Sequence, residues 1–168
     1  MKIRNMTLAA LFAALLAICA WISLPLGALQ FTLQTFGIFL ALLTLGGKLG
    51  SISIFVYIAL GAMGLPVFSG FQGGSGVLIG PTGGCIFGFM LTALLFWLLE
   101  SLIRPKIYGK IILLIVGLLV CYLTGWLWYC QFAPISFLVW SLPYLLPDIA
   151  KLLLAIFLSR RLRPVLQK

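Results

Sequence analysis

Long apolar runs almost free of charge restrict the fold of this chain more than any other feature. Charged residues make up 8% of the 168 positions and hydrophobic residues 64%, against about 25% and about 45–50% in soluble domains. The medium that accepts such a surface is lipid. About 20 apolar residues cross the hydrocarbon core as a helix. On that ruler the sequence predicts an all-α membrane protein with six transmembrane helices in one bundle, near Met6–Leu24, Phe31–Leu45, Leu49–Leu65, Pro81–Leu99, Ile107–Cys130 and Ser141–Leu158. Residues 1–168 are expected to form a single integral membrane domain. Pro143 and Pro147 suit the first turn or a kink of the sixth span, because proline lacks the amide proton that an interior turn uses.

The cations set an orientation. Lys2 and Arg4 precede the first span, Lys48 lies between the second and third, and Arg104, Lys106 and Lys110 lie where the fourth gives way to the first turn of the fifth. Arg160, Arg161, Arg163 and Lys168 follow the sixth. With six spans all ten fall on one side, which the positive-inside rule makes cytoplasmic. Both termini are then cytoplasmic. The opposite connections, Pro25–Gln30, Pro66–Gly80 and Gln131–Ile135, carry no charge. Five or seven spans would destroy this agreement.

Several function classes drop out. The formal net charge of +9 does not point to nucleic acid, since the cations sit between apolar spans and form no face. Cys19, Cys85, Cys121 and Cys130 have no C-x-x-C spacing and read as small apolar filler, so no metal and no disulfide framework is expected. With no histidine and a single interior carboxylate, enzymatic machinery is not expected. Lys48 follows Gly46-Gly47 but lacks the leading glycine and the hydroxyl partner of a phosphate-binding loop. Lys2 and Arg4 before an apolar run imitate a signal peptide, yet nothing downstream resembles a soluble protein, so the run is expected to remain as the first helix.

Only two acidic residues occur. Glu100 ends the fourth span, and its i,i+4 spacing to Arg104 allows an interfacial pair. Asp148 stands three residues before Lys151, on one face of the sixth span. Arg160 marks the cytoplasmic boundary, which at ~1.5 Å per residue puts Asp148 ~18 Å away, in the outer half of the bilayer. An intramembrane charge costs at least ~2.5–3.5 kcal/mol on insertion scales. Two readings stand: a self-neutralising pair that fixes the helix, or an outward-opening polar pocket for a small ligand. Such charges usually mark a substrate path.

Ten of the eighteen glycines fall between Gly61 and Gly88. This glycine-rich outer loop between the third and fourth helices is too rich in glycine for regular helix. It reads either as a lid over a ligand or as a mobile connection. Gly80, Gly84 and Gly88 fall on one predicted face of the fourth span, and Ala9, Ala13 and Ala17 beside Ala10 and Ala14 form a small-residue stripe on the first. Both permit close helix packing, within the bundle or on a partner.

Three stretches resemble the BioY family, the biotin-binding S components of energy-coupling factor (ECF) transporters. They are Phe31-Thr-Leu-Gln34-Thr35, Gly64-Leu-Pro-Val-Phe68 through Gln72-Gly-Gly74 to Gly80-Pro-Thr-Gly-Gly84, and Pro143-Tyr144-Leu-Leu-Pro-Asp148-Ile-Ala-Lys151. Family members often have glycine where this chain has Pro147. The resemblance implies high-affinity capture of biotin at an outward-facing site in the plasma membrane, covered by the first and third connections. It implies that Asp148 and Lys151 contact biotin, with Tyr144, Gln72, Phe68, Phe71, Gln34 and Trp21 as secondary site residues. It gives Ala9, Ala13, Ala10 and Ala14 the task of docking a transmembrane coupling subunit, while two cytoplasmic ATPases drive release. No cofactor is implied. The competing expectation is a stand-alone secondary transporter or channel for a small polar solute, with Asp148 as a proton-coupling group.

Overall fold

A computed structural model of the chain describes residues 3–26, 29–102 and 107–166. Lys2, Arg104, Lys106 and Lys168 of the orientation argument lie outside them. The elements run α1 (Ile3–Trp21), β1 (Ser23–Leu26), β2 (Leu29–Thr32), α2 (Gln34–Ala62), a 3-10 turn (Ser69–Phe71), α3 (Ser75–Ile79), α4 (Gly83–Leu99), α5 (Ile107–Tyr129) and α6 (Phe137–Leu166). The protein is mostly helical, and among the described residues four helices, α2 taken at its full length, are long and apolar enough to cross a membrane, with α4 a shorter apolar helix.

α2 covers two of the predicted spans. Gly46 has φ +81° and ψ 174° inside it, a left-handed backbone that favours glycine. The chain folds back there. A Cβ on Gly50 would stand 2.9 Å from the Ala41 carbonyl oxygen, and the Gln34 amide reaches the Tyr57 hydroxyl at 2.7 Å. In a straight helix those two residues would be ~34 Å apart. Limbs 34–45 and 47–62 are therefore antiparallel, and both are shorter than the ~20 residues of a full crossing. Leu40, Ala41, Leu42 and Leu43 are all buried, so the first limb runs through the middle of the bundle.

α1 lies against this limb through Phe12, Ala13, Leu16, Ala17 and Ala20, with helical spacing, while Ile3, Met6, Leu11 and Ile18 face outward. Contact is close: a Cβ on Gly37 would stand 2.9 Å from Leu16 Cδ2. α4 and α5 pack just as tightly. A Cβ on Gly84 would stand 2.3 Å from Trp128 Cβ, and one on Gly88 2.7 Å from Cys121 Cα. Gly80 does not belong to that face, because it precedes α4 and caps α3.

α6 rests mainly on α2. Its inner face carries Ser141, Tyr144, Asp148, Lys151, Leu152, Ala155 and Ser159, all buried, and its outer face Leu142, Leu146, Ile149, Leu153 and Phe157. The helix begins at Phe137 and runs to Leu166, longer at both ends than expected, with Pro143 and Pro147 in its interior.

One other expectation is corrected. The first span ends at Trp21, and residues 23–32 form an antiparallel hairpin pairing Ser23 with Thr32 and Leu26 with Leu29, so the fold is not purely helical. The Leu33 amide closes the hairpin onto the Cys19 and Ile22 carbonyls at 3.1 and 3.2 Å. Glu100 turns to Lys110 and to the Gly47 amide. One carboxylate thus joins the α2 reversal, the end of α4 and the start of α5. At this same end Arg4 donates to the Leu166 carbonyl at 3.4 Å.

Candidate ligand-binding site

At the opposite end a cavity of about 490 Å³ opens between the helices, within the ~300–1,000 Å³ range of small-molecule sites. Its walls come from five directions. The β2–α2 junction gives Phe31, Thr32, Gln34 and Thr35, and the glycine-rich connection gives Phe68, Ser69 and Gln72. The entry to α4 gives Pro81, Thr82, Cys85 and Ile86, α5 gives Cys121 and Tyr122, and α6 gives Tyr144, Asp148 and Lys151.

The charged pair forms the polar wall. Lys151 Nζ donates to Asp148 Oδ1 at 2.7 Å, to the Thr32 carbonyl at 2.6 Å and to the Thr35 hydroxyl at 3.0 Å. An ammonium has three protons, so every one is engaged by the protein. The Phe31 ring adds a cation–π contact, 3.9 Å from Nζ to its centre. Asp148 accepts the Thr35 hydroxyl on Oδ1 at 2.8 Å and the Tyr122 hydroxyl on Oδ2 at 2.7 Å. Asp148 is 3% exposed and Lys151 6%. A buried ion pair persists only when its remaining hydrogen-bonding capacity is met. Thr35, Tyr122 and the Thr32 carbonyl do this here.

A second polar group sits beside the pair. Gln34 donates to Tyr57 at 2.7 Å and accepts the Thr32 hydroxyl at 3.0 Å. Phe68 is 1% exposed. Its ring stands edge-on to Tyr57, centres 5.7 Å apart, and lies over Gly61, where a Cβ would come within 2.2 Å of the ring. Only glycine admits Phe68 to this wall. The Gln72 carbonyl accepts the Phe68 amide at 2.9 Å, closing the loop between them.

Of the residues named from sequence, Asp148, Lys151, Tyr144, Gln72, Phe68 and Gln34 line the cavity. Trp21 and Phe71 do not. They stack on each other outside it, centres 5.0 Å apart. On α1, Ala9 and Ala13 are turned into the bundle at 4% and 3% exposure, because the same face packs on α2. Ala10 and Ala14 face outward, and only they are free to meet a partner.

Tyr122 was missed by sequence reasoning, as were Thr35 and Thr32 as partners of the pair. A tyrosine within the Ile107–Cys130 run is the available signal, since a buried phenol needs a hydrogen-bond partner.

Comparisons with known proteins bear on the family and the fold. The model of the BioY family matches residues 1–168. Probable biotin transporter BioY of Pyrococcus horikoshii is 41% identical over 165 residues, covering 97% of this chain and 98% of that protein. Biotin transporter BioY of Thermotoga maritima is 51% identical over 98 residues, 58% of each. The crystal structure of the S-component for biotin from an ECF-type ABC transporter superposes with a TM-score of 0.86 at 29% identity, covering 97% of this chain and 92% of that one. Matched along its whole length in sequence and nearly so in fold, the chain belongs to the BioY family.

Proposed function

We propose that the protein captures biotin in this cavity as the substrate-binding subunit of an ATP-driven ECF-type transporter. The observation that carries the reading is a buried Asp148–Lys151 pair, with every ammonium proton engaged, facing an otherwise largely apolar chamber. Biotin has matching chemistry: an apolar bicycle, a ureido group with two N–H donors and a carbonyl, and a carboxylate. Asp148 Oδ2, already accepting from Tyr122, has a further lone pair for an N–H. A ligand oxygen that reaches Lys151 displaces the Thr32 carbonyl or the Thr35 hydroxyl from one of its protons. Gln34, Gln72 and Tyr144 supply neutral polar contacts, and Phe31 and Phe68 enclose the ring system.

The wider arrangement follows from the same reading. The limbs of α2 count as two crossings, giving six with α1, α4, α5 and α6. Both termini lie in the cytoplasm and the cavity faces outward from the plasma membrane. Ala10 and Ala14 meet the transmembrane coupling subunit, and two cytoplasmic ATPases perform hydrolysis. The chain itself is a carrier component and not an enzyme.

Isothermal titration of the purified protein in detergent tests the substrate, with desthiobiotin, riboflavin and thiamine as controls. Biotin is expected to bind tightest. Binding of another vitamin in its place overturns the substrate assignment. Proton-driven uptake into liposomes by this chain alone overturns its place as a subunit, in favour of a stand-alone transporter coupled through Asp148.

A further inference from the structure

The strongest structural feature outside the cavity is the contact between the end of α1 and the glycine-rich connection. Trp21, the last residue of α1, donates its indole N–H to the Pro66 carbonyl at 2.8 Å. Its ring stacks on Phe71, with the planes 25° apart. Pro66 and Phe71 bracket Phe68, the buried ring of the cavity wall. One side chain therefore grips the connection on both sides of the residue that closes the chamber.

The backbone of this segment is held in a costly shape. Phe71 has φ +57° and is the one non-glycine residue with positive φ among the described residues. Its ring is 64% exposed, so burial in the bundle does not hold it there; Trp21 is its aromatic partner. Gly64 at φ +101° and Gly74 at φ +94° flank the segment, and a Cβ on either would meet nothing within 4 Å. The amides of both donate to the Gly61 carbonyl, at 3.1 and 2.7 Å, so the base of the connection is pinned to α2 and its attachment to α1 lies between the two pins.

We propose that Trp21 and Phe71 are positioning residues that clasp the connection over the cavity and so set how fast a bound ligand leaves. They act through Phe68 and do not touch the ligand. The proposal rests on the reading of the cavity as a biotin site.

The test is a chase experiment on the full chain in nanodiscs, loaded with tritiated biotin and diluted into excess unlabelled biotin. Trp21→Ala and Phe71→Ala are each expected to speed exit about tenfold, because each removes the whole stacked contact. The double variant should be no faster than Trp21→Ala. Trp21→Phe keeps a ring and loses the N–H donor, so its rate should lie between wild type and Trp21→Ala. Phe71→Gly separates the clasp from folding, since glycine adopts this backbone without strain. It should unfold no earlier than wild type yet release biotin about tenfold faster. Phe132→Ala, which removes another exposed ring outside the cavity, should leave exit unchanged.

Exit rates of Phe71→Gly and Trp21→Ala within twofold of wild type overturn the clasp. So does a double variant whose effect is the product of the two single ones, or a loss of affinity arising only from slower capture. A wild-type protein that retains no biotin instead overturns the reading of the cavity, a result visible before any variant is compared.

Discussion

Lys151 and Asp148 hold four elements together as well as forming a wall, because the pair stands on α6 and its partners come from β2, α2 and α5. Removing one member leaves an uncompensated buried charge, which costs about 3–5 kcal/mol. Asp148→Ala and Lys151→Ala should therefore lower the unfolding temperature and weaken biotin binding at least tenfold, equivalent to about 1.4 kcal/mol. The double variant Asp148→Asn with Lys151→Met removes both charges. It should recover much of the lost stability without recovering binding, which calorimetry and thermal unfolding together would distinguish. Tyr122→Phe deletes only the hydroxyl on Oδ2 and should weaken binding with little loss of fold. Unchanged affinity in the folded double variant would refute the site assignment.

Among the elements, the apolar runs and the Asp148–Lys151 spacing were legible because both are local properties of the chain. Lipid selects long uncharged segments, and a helix puts residues three apart on one face. The hairpin of residues 23–32 was not legible, since Leu24, Pro25 and Leu26 continue an apolar run and carry no period of their own. Nor was the destination of Glu100. Arg104, the near choice by spacing, lies outside the described residues, and the Gly47 amide and Lys110 reach Glu100 only through the packing of α2 and α5 on α4. Tyr122 meets Asp148 across 26 positions, a relation that no sequence spacing encodes. Glu100→Gln tests the helix junction apart from the cavity. It leaves buried Lys110 without its counter-charge and should destabilise the protein by about 3 kcal/mol in detergent unfolding, with biotin affinity unchanged. An affinity loss as large as that of Tyr122→Phe would show that the two ends are not independent.

The molecule as a whole separates two kinds of surface on α1. Ala9 and Ala13 belong to the interior, while Ala10 and Ala14 present small side chains outward. Bulky residues at the outward pair should block docking and leave the cavity intact. Ala10→Trp with Ala14→Trp is expected to retain biotin binding in the isolated protein and to abolish ATP-driven uptake when the coupling subunit and ATPases are present. Normal uptake by that variant would place the partner on another face. The contact made by Glu100 has a mechanical consequence at this scale. It joins the α2 reversal, α4 and α5 at one end, and the cavity lies at the other. Glu100 thus works as a staple at the end remote from the ligand, and the fastening of the bundle and the binding of its cargo fall to opposite ends of the molecule.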